Sequence, residues 1–448
     1  MARWSAFNRP RTTILSFAIP VLVLKLVIAA RTFGTNDIAH WQDFLNGVRT
    51  AGPVGIYGLT FERSFYNHPP VAGYFLWLVN GVQNTGIPFN FTIRAVASLA
   101  DVGSAIVLFE LLRRRRSVAE ATLAGMMVAV SPLLFVVSSF HGNTDPDFVF
   151  LTILGVYLLV DRKMSACAGA VIALALGVKI VPAVVVPVLL VYAWKQGRRP
   201  FLGFTAAGAA VFAATWGPAL VLQFGPLRAD VLGYGGNGSS LWGFMQIGHW
   251  LGDPAWVGVA GGPGRMVLVA VCALVPALAV WRRPAVVLPA VAWSFLVFLA
   301  FATTFGVQYL VWPVVVGYLI GFRSATLYNV SAGVILVEVY NRWSGGLPWG
   351  RAYANEFTGA EKVALLLPWA VLLLMVVRAT MLIFPGLIFP RVIFPREVAG
   401  RAPETGSTAS SPAPPTTAVG AGAAPRTRRG PVPPQEAIER NTNAAQDG

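Results

Sequence analysis

The chain returns again and again to apolar runs of about twenty residues, the length an α-helix needs to cross roughly 30 Å of hydrocarbon. Each run stops at an arginine cluster or a polar loop. Inside a bilayer no water satisfies backbone N–H and C=O groups, so only helices and closed barrels span it. The short alternating segments of a transmembrane barrel are absent. Only 12% of residues are charged and 56% are hydrophobic, against about 25% charged in a soluble domain. These facts predict an all-α, polytopic transmembrane helical bundle.

The basic clusters give the spans an order, since short cytoplasmic loops collect Lys and Arg. Arg3, Arg9 and Arg11 precede a first span at about 12–30. The next cluster, Arg113–Arg116, follows a span at about 92–112. The apolar stretch 71–79 between them is too short to cross, so residues 31–90 are expected to form one long external loop with interfacial helices. Further spans follow at about 118–139, 147–160, 165–179, 181–194 and 201–222. Five more are expected, one ending at 281–284, then 286–304, one ending near Arg323, 325–340 and 362–378. The total is about twelve, with both termini in the cytoplasm and a first span that stays uncleaved.

The net charge of +15 lies between spans rather than on one face, which argues against nucleic acid. Cys167 and Cys272 sit in apolar spans, and no Cys/His metal pattern occurs. The bias toward Arg, Ala, Val, Gly and Pro points to a high-GC bacterial genome. Residues 396–448 are Pro-, Ala-, Thr- and Ser-rich, and a disordered cytoplasmic tail is expected there. The membrane domain is expected to cover residues 1–395.

Polar residues gather in the external loops. The first holds Asn36, Asp37, His40, Asp43 and, before Pro69-Pro70, His68. Asp37, His40, Trp41 and Phe44 share one helical face, with Thr35 or Asn36 as cap; Asp37 in the first turn would also suit the helix dipole. A histidine before Pro-Pro is often just a turn residue. "HGNTDPDF", residues 141–148, places His141, Asn143, Asp145 and Asp147 after the third span. Asp145 before Pro146 reads as a helix start, and Asp145 with Asp147 could also hold a divalent cation. Lys179, between two short apolar halves, reads as functional or as snorkelling. Lys25 has the same two readings, with snorkelling favoured. The Gly-rich loop 228–250 is either a connector or a substrate cover carrying Arg228 and His249.

Four motifs in this order resemble the GT-C superfamily of membrane glycosyltransferases. They are "ND" at 36–37 with "GIYG" and "YNHPP" after it, "HGNTDPD", "VKIVPAVVVPVLL" and "FGVQYLVWPVVV", which contains Gln308. Among these, the chain looks most like bacterial mannosyltransferases that elongate phosphatidylinositol mannosides. The resemblance implies a polyprenyl-phosphate sugar donor, a lipid or lipoglycan acceptor and a plasma-membrane enzyme of envelope biosynthesis working on its external side. It implies Asp37 as the base, with His68 and Asp147 orienting sugar or acceptor, and Lys179, Lys25 and Arg228 receiving the leaving phosphate. No organic cofactor is implied, and the metal requirement stays open. The rival readings are a lipid-linked-saccharide flippase and a non-catalytic assembly subunit.

Overall fold

A computed structural model describes residues 9–62, 64–236, 240–353 and 356–385. The expected tail at 396–448 lies outside the described residues. The N-terminal part of the chain holds α1 (Pro10–Arg31), strand β1 (Gly34–Thr35), α2 (Asn36–Gly55) and α3 (Pro70–Gln83). Next come α4 (Phe89–Leu112), α5 (Val118–Ala129), α6 (Pro132–Val136) and a π turn, Val137–His141. α7 (Asp145–Val160), α8 (Ser165–Val178), α9 (Val186–Lys195) and α10 (Arg198–Leu222) follow. The remaining long elements are α11 (Gly243–Leu251), α12 (Arg265–Arg282), α13 (Val287–Ala300), α14 (Trp312–Ile320) and α15 (Phe322–Trp343), then β2 (Arg351–Ala352) and α16 (Leu366–Ile383).

Helices therefore stand wherever spans were expected, and the chain is an integral, multi-pass membrane protein by its apolar helices. Among the described residues, six segments can cross a membrane by length and composition: 10–31, 89–112, 118–141, 198–222, 254–282 and 359–383. The twelve expected crossings are not reached on that measure. Helices 165–178, 181–195, 284–300 and 307–320 are apolar but short.

The helices sort by what surrounds them. α13 and α14 are buried along nearly their whole length. α1 and α10 instead present apolar residues outward, Val221 at 81% and Leu222 at 68% exposure among them. Outward apolar faces on long helices suit lipid rather than water.

One end of the bundle is basic and paired. Arg11 and Arg113 each reach Glu110 at 2.7 Å, Arg115 reaches Asp161 at 2.6 Å and Arg116 reaches Glu120 at 2.6 Å. α1, α4 and α7 each have one terminus there and the other at the end that carries β1 and α2. The "HGNTDPDF" stretch is thus a full helix length from the arginine cluster.

Two charges inside the apolar region are neutralised by specific partners. Lys25, only 2% exposed, donates to Asp101 Oδ2 at 2.5 Å, and Ser138 donates to the same oxygen at 2.5 Å. Lys25 therefore does not snorkel, and it is not available to a phosphate. Arg94, fully buried, donates from Nη2 to the carbonyls of Ala29 and Thr32 at 2.8 Å. From Nη1 it reaches Thr32 Oγ1 at 2.9 Å and the Ser139 carbonyl at 3.3 Å. It thereby satisfies carbonyls that the end of α1 leaves orphaned.

Removing one partner of a buried pair strands the other charge, at a cost of about 3–5 kcal/mol. Lys25→Met should therefore lower the melting temperature of the purified protein sharply. Lys25→Met with Asp101→Leu should recover most of that loss, and a double variant no better than the single one would contradict the pairing.

Candidate active site

The site is built from the break between α1 and α2. Gly34 takes φ +100°, and a Cβ there would lie 2.6 Å from the Phe140 carbonyl, so the chain can pass this close to the π turn only as glycine. Thr35 then caps α2: its hydroxyl accepts from the Asp37 N–H at 3.3 Å and donates to the His141 carbonyl at 2.9 Å. The expected cap and helical face are present, with Trp41 and Phe44 buried beneath. Two residues past the cap, Asp37 keeps 32% of its side chain exposed.

Both protein hydrogen bonds to the Asp37 carboxylate fall on Oδ2. His141 Nε2 donates at 2.9 Å and Asn143 Nδ2 at 2.8 Å. Among the described residues Oδ1 accepts no hydrogen bond, so one oxygen is anchored and the other is open. Burial by itself would raise this acid, but His141 and Asn143, with His40 adding to them, hold it below the usual carboxylate range. Asp37 is thus ionised at any physiological pH.

His141 is aimed by its own surroundings. It ends the π turn, and Gly142 follows in the left-handed region at φ +78°, where a Cβ would collide with Ile38. The Tyr340 hydroxyl lies 2.5 Å from His141 Nδ1. A carboxylate can only accept, so Nε2 carries a proton toward Asp37, and the Tyr340 hydroxyl and Nδ1 share the second hydrogen bond. Asn143 is fixed as well, since its Oδ1 accepts from the Thr144 N–H at 2.7 Å. That contact leaves its amide nitrogen for Asp37.

α7 starts immediately afterwards. Thr144 is its cap residue, so Asp145 is inside the helix and does not cap it. Asp145 is instead fully buried, with Oδ2 accepting from Lys179 at 2.7 Å and Oδ1 from Trp312 Nε1 at 2.5 Å. Lys179 stands in extended backbone where α8 ends, 16% exposed, with its ammonium 5.4 Å from the Tyr309 ring centre. Tyr309 stacks on Trp312 at 4.5 Å, and Gln308, half-buried, precedes it on the same turn. Asp147, one residue past Pro146, has a buried Oδ1 without a hydrogen-bond partner.

His68 closes the other side. Its ring stacks on Trp41 at 4.2 Å and meets Phe44 and Tyr66 at 5.7 Å, and its carbonyl accepts from the Tyr57 hydroxyl at 2.7 Å. Burial and the Lys179 charge push His68 down to about 3, against the pull of Asp37. The Lys179 and Asp37 charges thus both act on His68, in opposite directions. The Gly-rich loop leans toward it: Tyr234 bonds to Asn67 and feels the Asp37 charge, and its ring meets Phe65 at 5.8 Å.

Other sequence candidates stand apart. Arg228 and His249 are exposed, on a turn after α10 and on α11. Asn36 is half-buried at the first position of α2, and His40 has a buried Nδ1 with no partner. Sequence reasoning passed over Tyr340, Trp312, Arg94 and Asp101. Arg94 and Asp101 were open to the rule that charges inside spans have partners. Tyr340 carried no such signal. As for a divalent cation, no group of three His, Cys, Asp or Glu side chains gathers among the described residues. Asp145 already gives both oxygens to Lys179 and Trp312, so the Asp145/Asp147 pair does not fit a metal.

A histidine kept neutral in the folded state but free to protonate near 6.5 when unfolded lowers stability as pH falls. The folded chain should therefore become less stable from about pH 7 to pH 5, within the window between 6.5 and 3 set by His68. Asp37, depressed rather than raised, adds its own loss only as pH falls toward and below its ordinary value of 3.8, under the pH 7 to 5 range. Melting curves of wild type and His68→Asn test this: the variant should show the flatter pH dependence.

No curated protein matches the chain. Residues 67–218, from just before α3 into α10, match the sequence model of the dolichyl-phosphate-mannose-protein mannosyltransferase family. Over that third of the chain the sequence is similar to a family named for transfer of mannose from dolichyl phosphate.

Proposed function

We propose that this protein transfers mannose, with inversion, from a polyprenyl-phosphate carrier to a lipid or lipoglycan acceptor at the outer face of a bacterial plasma membrane. Twelve crossings with both termini in the cytoplasm would put α2, and with it Asp37, on that face, opposite the arginine cluster. The order of the sequence motifs resembles that of enzymes that extend phosphatidylinositol mannosides in the cell envelope, which is what suggests this acceptor class. The observation that carries the reading is the asymmetric Asp37 carboxylate, anchored through Oδ2 and open at Oδ1.

Asp37 Oδ1 would take the proton of the acceptor hydroxyl as that oxygen bonds to the anomeric carbon. The bond from that carbon to the phosphate oxygen breaks at the same time, and its electron pair leaves with the phosphate. A weak base is sufficient, because an alcohol attacking an oxocarbenium-like carbon becomes strongly acidic. The phosphate departs as an anion and needs no second acid. Lys179 would receive its charge: an ammonium has three donors, and Asp145 accepts one. In this scheme Asp145 and Trp312 hold Lys179 in place. His68, neutral and stacked, would orient a sugar hydroxyl, as would Asp147. Tyr340 would act through His141 and so is a positioning residue.

Asp37→Asn keeps the shape but cannot accept a proton, so transfer from polyprenyl-phosphate mannose should fall by about 10²- to 10⁴-fold with an unchanged melting temperature. Tyr340→Phe frees the His141 ring and should cost about tenfold in kcat with little change in KM. Equal transfer by wild type and Asp37→Asn would remove Asp37 as the base.

A further inference from the structure

On the far side of α2 from Asp37 lies a second cavity, about 480 Å³ in volume. Ile38, Ala39, Gln42 and Asp43 line it, whereas Asp37, His40, Trp41 and Phe44 face the other way. Its opposite walls come from α3, the start of α4 and β2. No step of the proposed reaction uses any of its polar side chains.

Three features of the lining point to one kind of ligand. The first is the Arg351 guanidinium, whose centre lies 4.4 Å from the Phe33 ring and 4.8 Å from the Tyr353 ring. Its Nε is buried and, among the described residues, has no hydrogen-bond partner. A buried N–H without an acceptor costs roughly 1–3 kcal/mol, so an acceptor entering here would relieve a standing penalty. The second is a set of carboxamides, Gln42, Gln83 and Asn90. Gln83 uses its oxygen for Arg49 at 2.8 Å and Asn90 uses its nitrogen for the Thr32 carbonyl at 3.4 Å. Their remaining amide atoms offer both donors and acceptors. The third is an apolar wall of Pro88 and Phe89.

Charge decides between the two obvious ligand chemistries. A phosphate would meet one guanidinium and, on the same wall, the Asp43 carboxylate. A hexose presents hydroxyls that both donate and accept, together with C–H faces that pack on rings, and so matches amides, carboxylate, guanidinium and aromatic wall at once. The volume lies within the range of small-ligand sites.

We infer that this cavity is a second saccharide-binding site, separate from the reaction centre, that takes a neutral sugar unit of a glycan or glycolipid at the same face as α2. Within the proposed function, that unit is a non-reacting sugar of the acceptor. The binding itself does not require the transferase reading to hold.

The test is saturation-transfer NMR and titration calorimetry on the full chain in nanodiscs, with methyl α-mannoside, methyl α-glucoside and inorganic phosphate as probes. Gln42→Ala and Arg351→Gln should each weaken mannoside binding by about tenfold. Asp37→Asn and His68→Asn should leave it unchanged, and transfer to a one-sugar acceptor should be unaltered in Gln42→Ala. If Arg351→Gln does not fold, Gln42→Ala and Gln83→Ala carry the test alone, both being changes of half-buried side chains. Mannoside binding indifferent to all three variants, or phosphate binding in place of the sugars, would overturn the assignment. A chain that binds mannoside here but transfers nothing would sink only the transferase reading.

Discussion

Arg94 is the residue on which the geometry of the catalytic end rests. It is fully buried, and its guanidinium joins the last carbonyls of α1 to the carbonyl of Ser139 in the π turn. Those two chain segments lead directly to Asp37 and to His141. An arginine suits this place because its planar fork of donors can serve several carbonyls at fixed angles, which a lysine cannot. The protein thus sets the position of the Asp37 carboxylate with a charge that bonds to backbone carbonyls and Thr32 rather than to Asp37. The end of α1, left with orphan acceptors, becomes the fixed point from which β1, the Thr35 cap and α2 are laid out.

Buried charges elsewhere follow the same logic of specific partners. Lys25 and Asp101 neutralise each other with Ser138 as a third member, and Lys179 is held by Asp145. The two pairs differ in access. Lys25 is closed off at 2% exposure, whereas the Lys179 side chain retains 16% beside the ring of Tyr309. That difference, rather than residue type, separates a structural ammonium from one that can meet an anion.

Much of this was legible in the sequence, because membrane helices announce themselves by length and their ends by charge. The helix positions, the Thr35 cap and the shared face of Asp37, Trp41 and Phe44 are local consequences of residue order. The gathering of His141 and Asn143 around Asp37 was legible only as a pattern of motifs, since 104 and 106 positions separate the partners. Snorkelling was expected of Lys25 because Asp101, 76 positions away, had not been recognised as its partner. Asp145 before Pro146 read as a helix start, and α7 does begin there, but Thr144 takes the cap position without a side-chain cap bond and the Asp145 carboxylate turns inward. Tyr340 lies 199 positions from His141, and a tyrosine on an apolar helix has no signature of its own.

The pairing of β1 with β2 is only two residues long, Gly34 to Arg351 and Thr35 to Ala352, but it joins the beginning of the chain to nearly its end. Tyr340 enters from the same late stretch. During synthesis the ribosome must therefore deliver some three hundred residues between Asp37 and the last group that fixes its surroundings, a separation of 199 positions between His141 and Tyr340 included. A nascent chain already threaded through the membrane has its carboxylate but not its finished setting. The hydrogen-bonded setting of Asp37 is in this way completed only after α15 has been made, and a chain cut short before it would carry the carboxylate without the Tyr340–His141 contact.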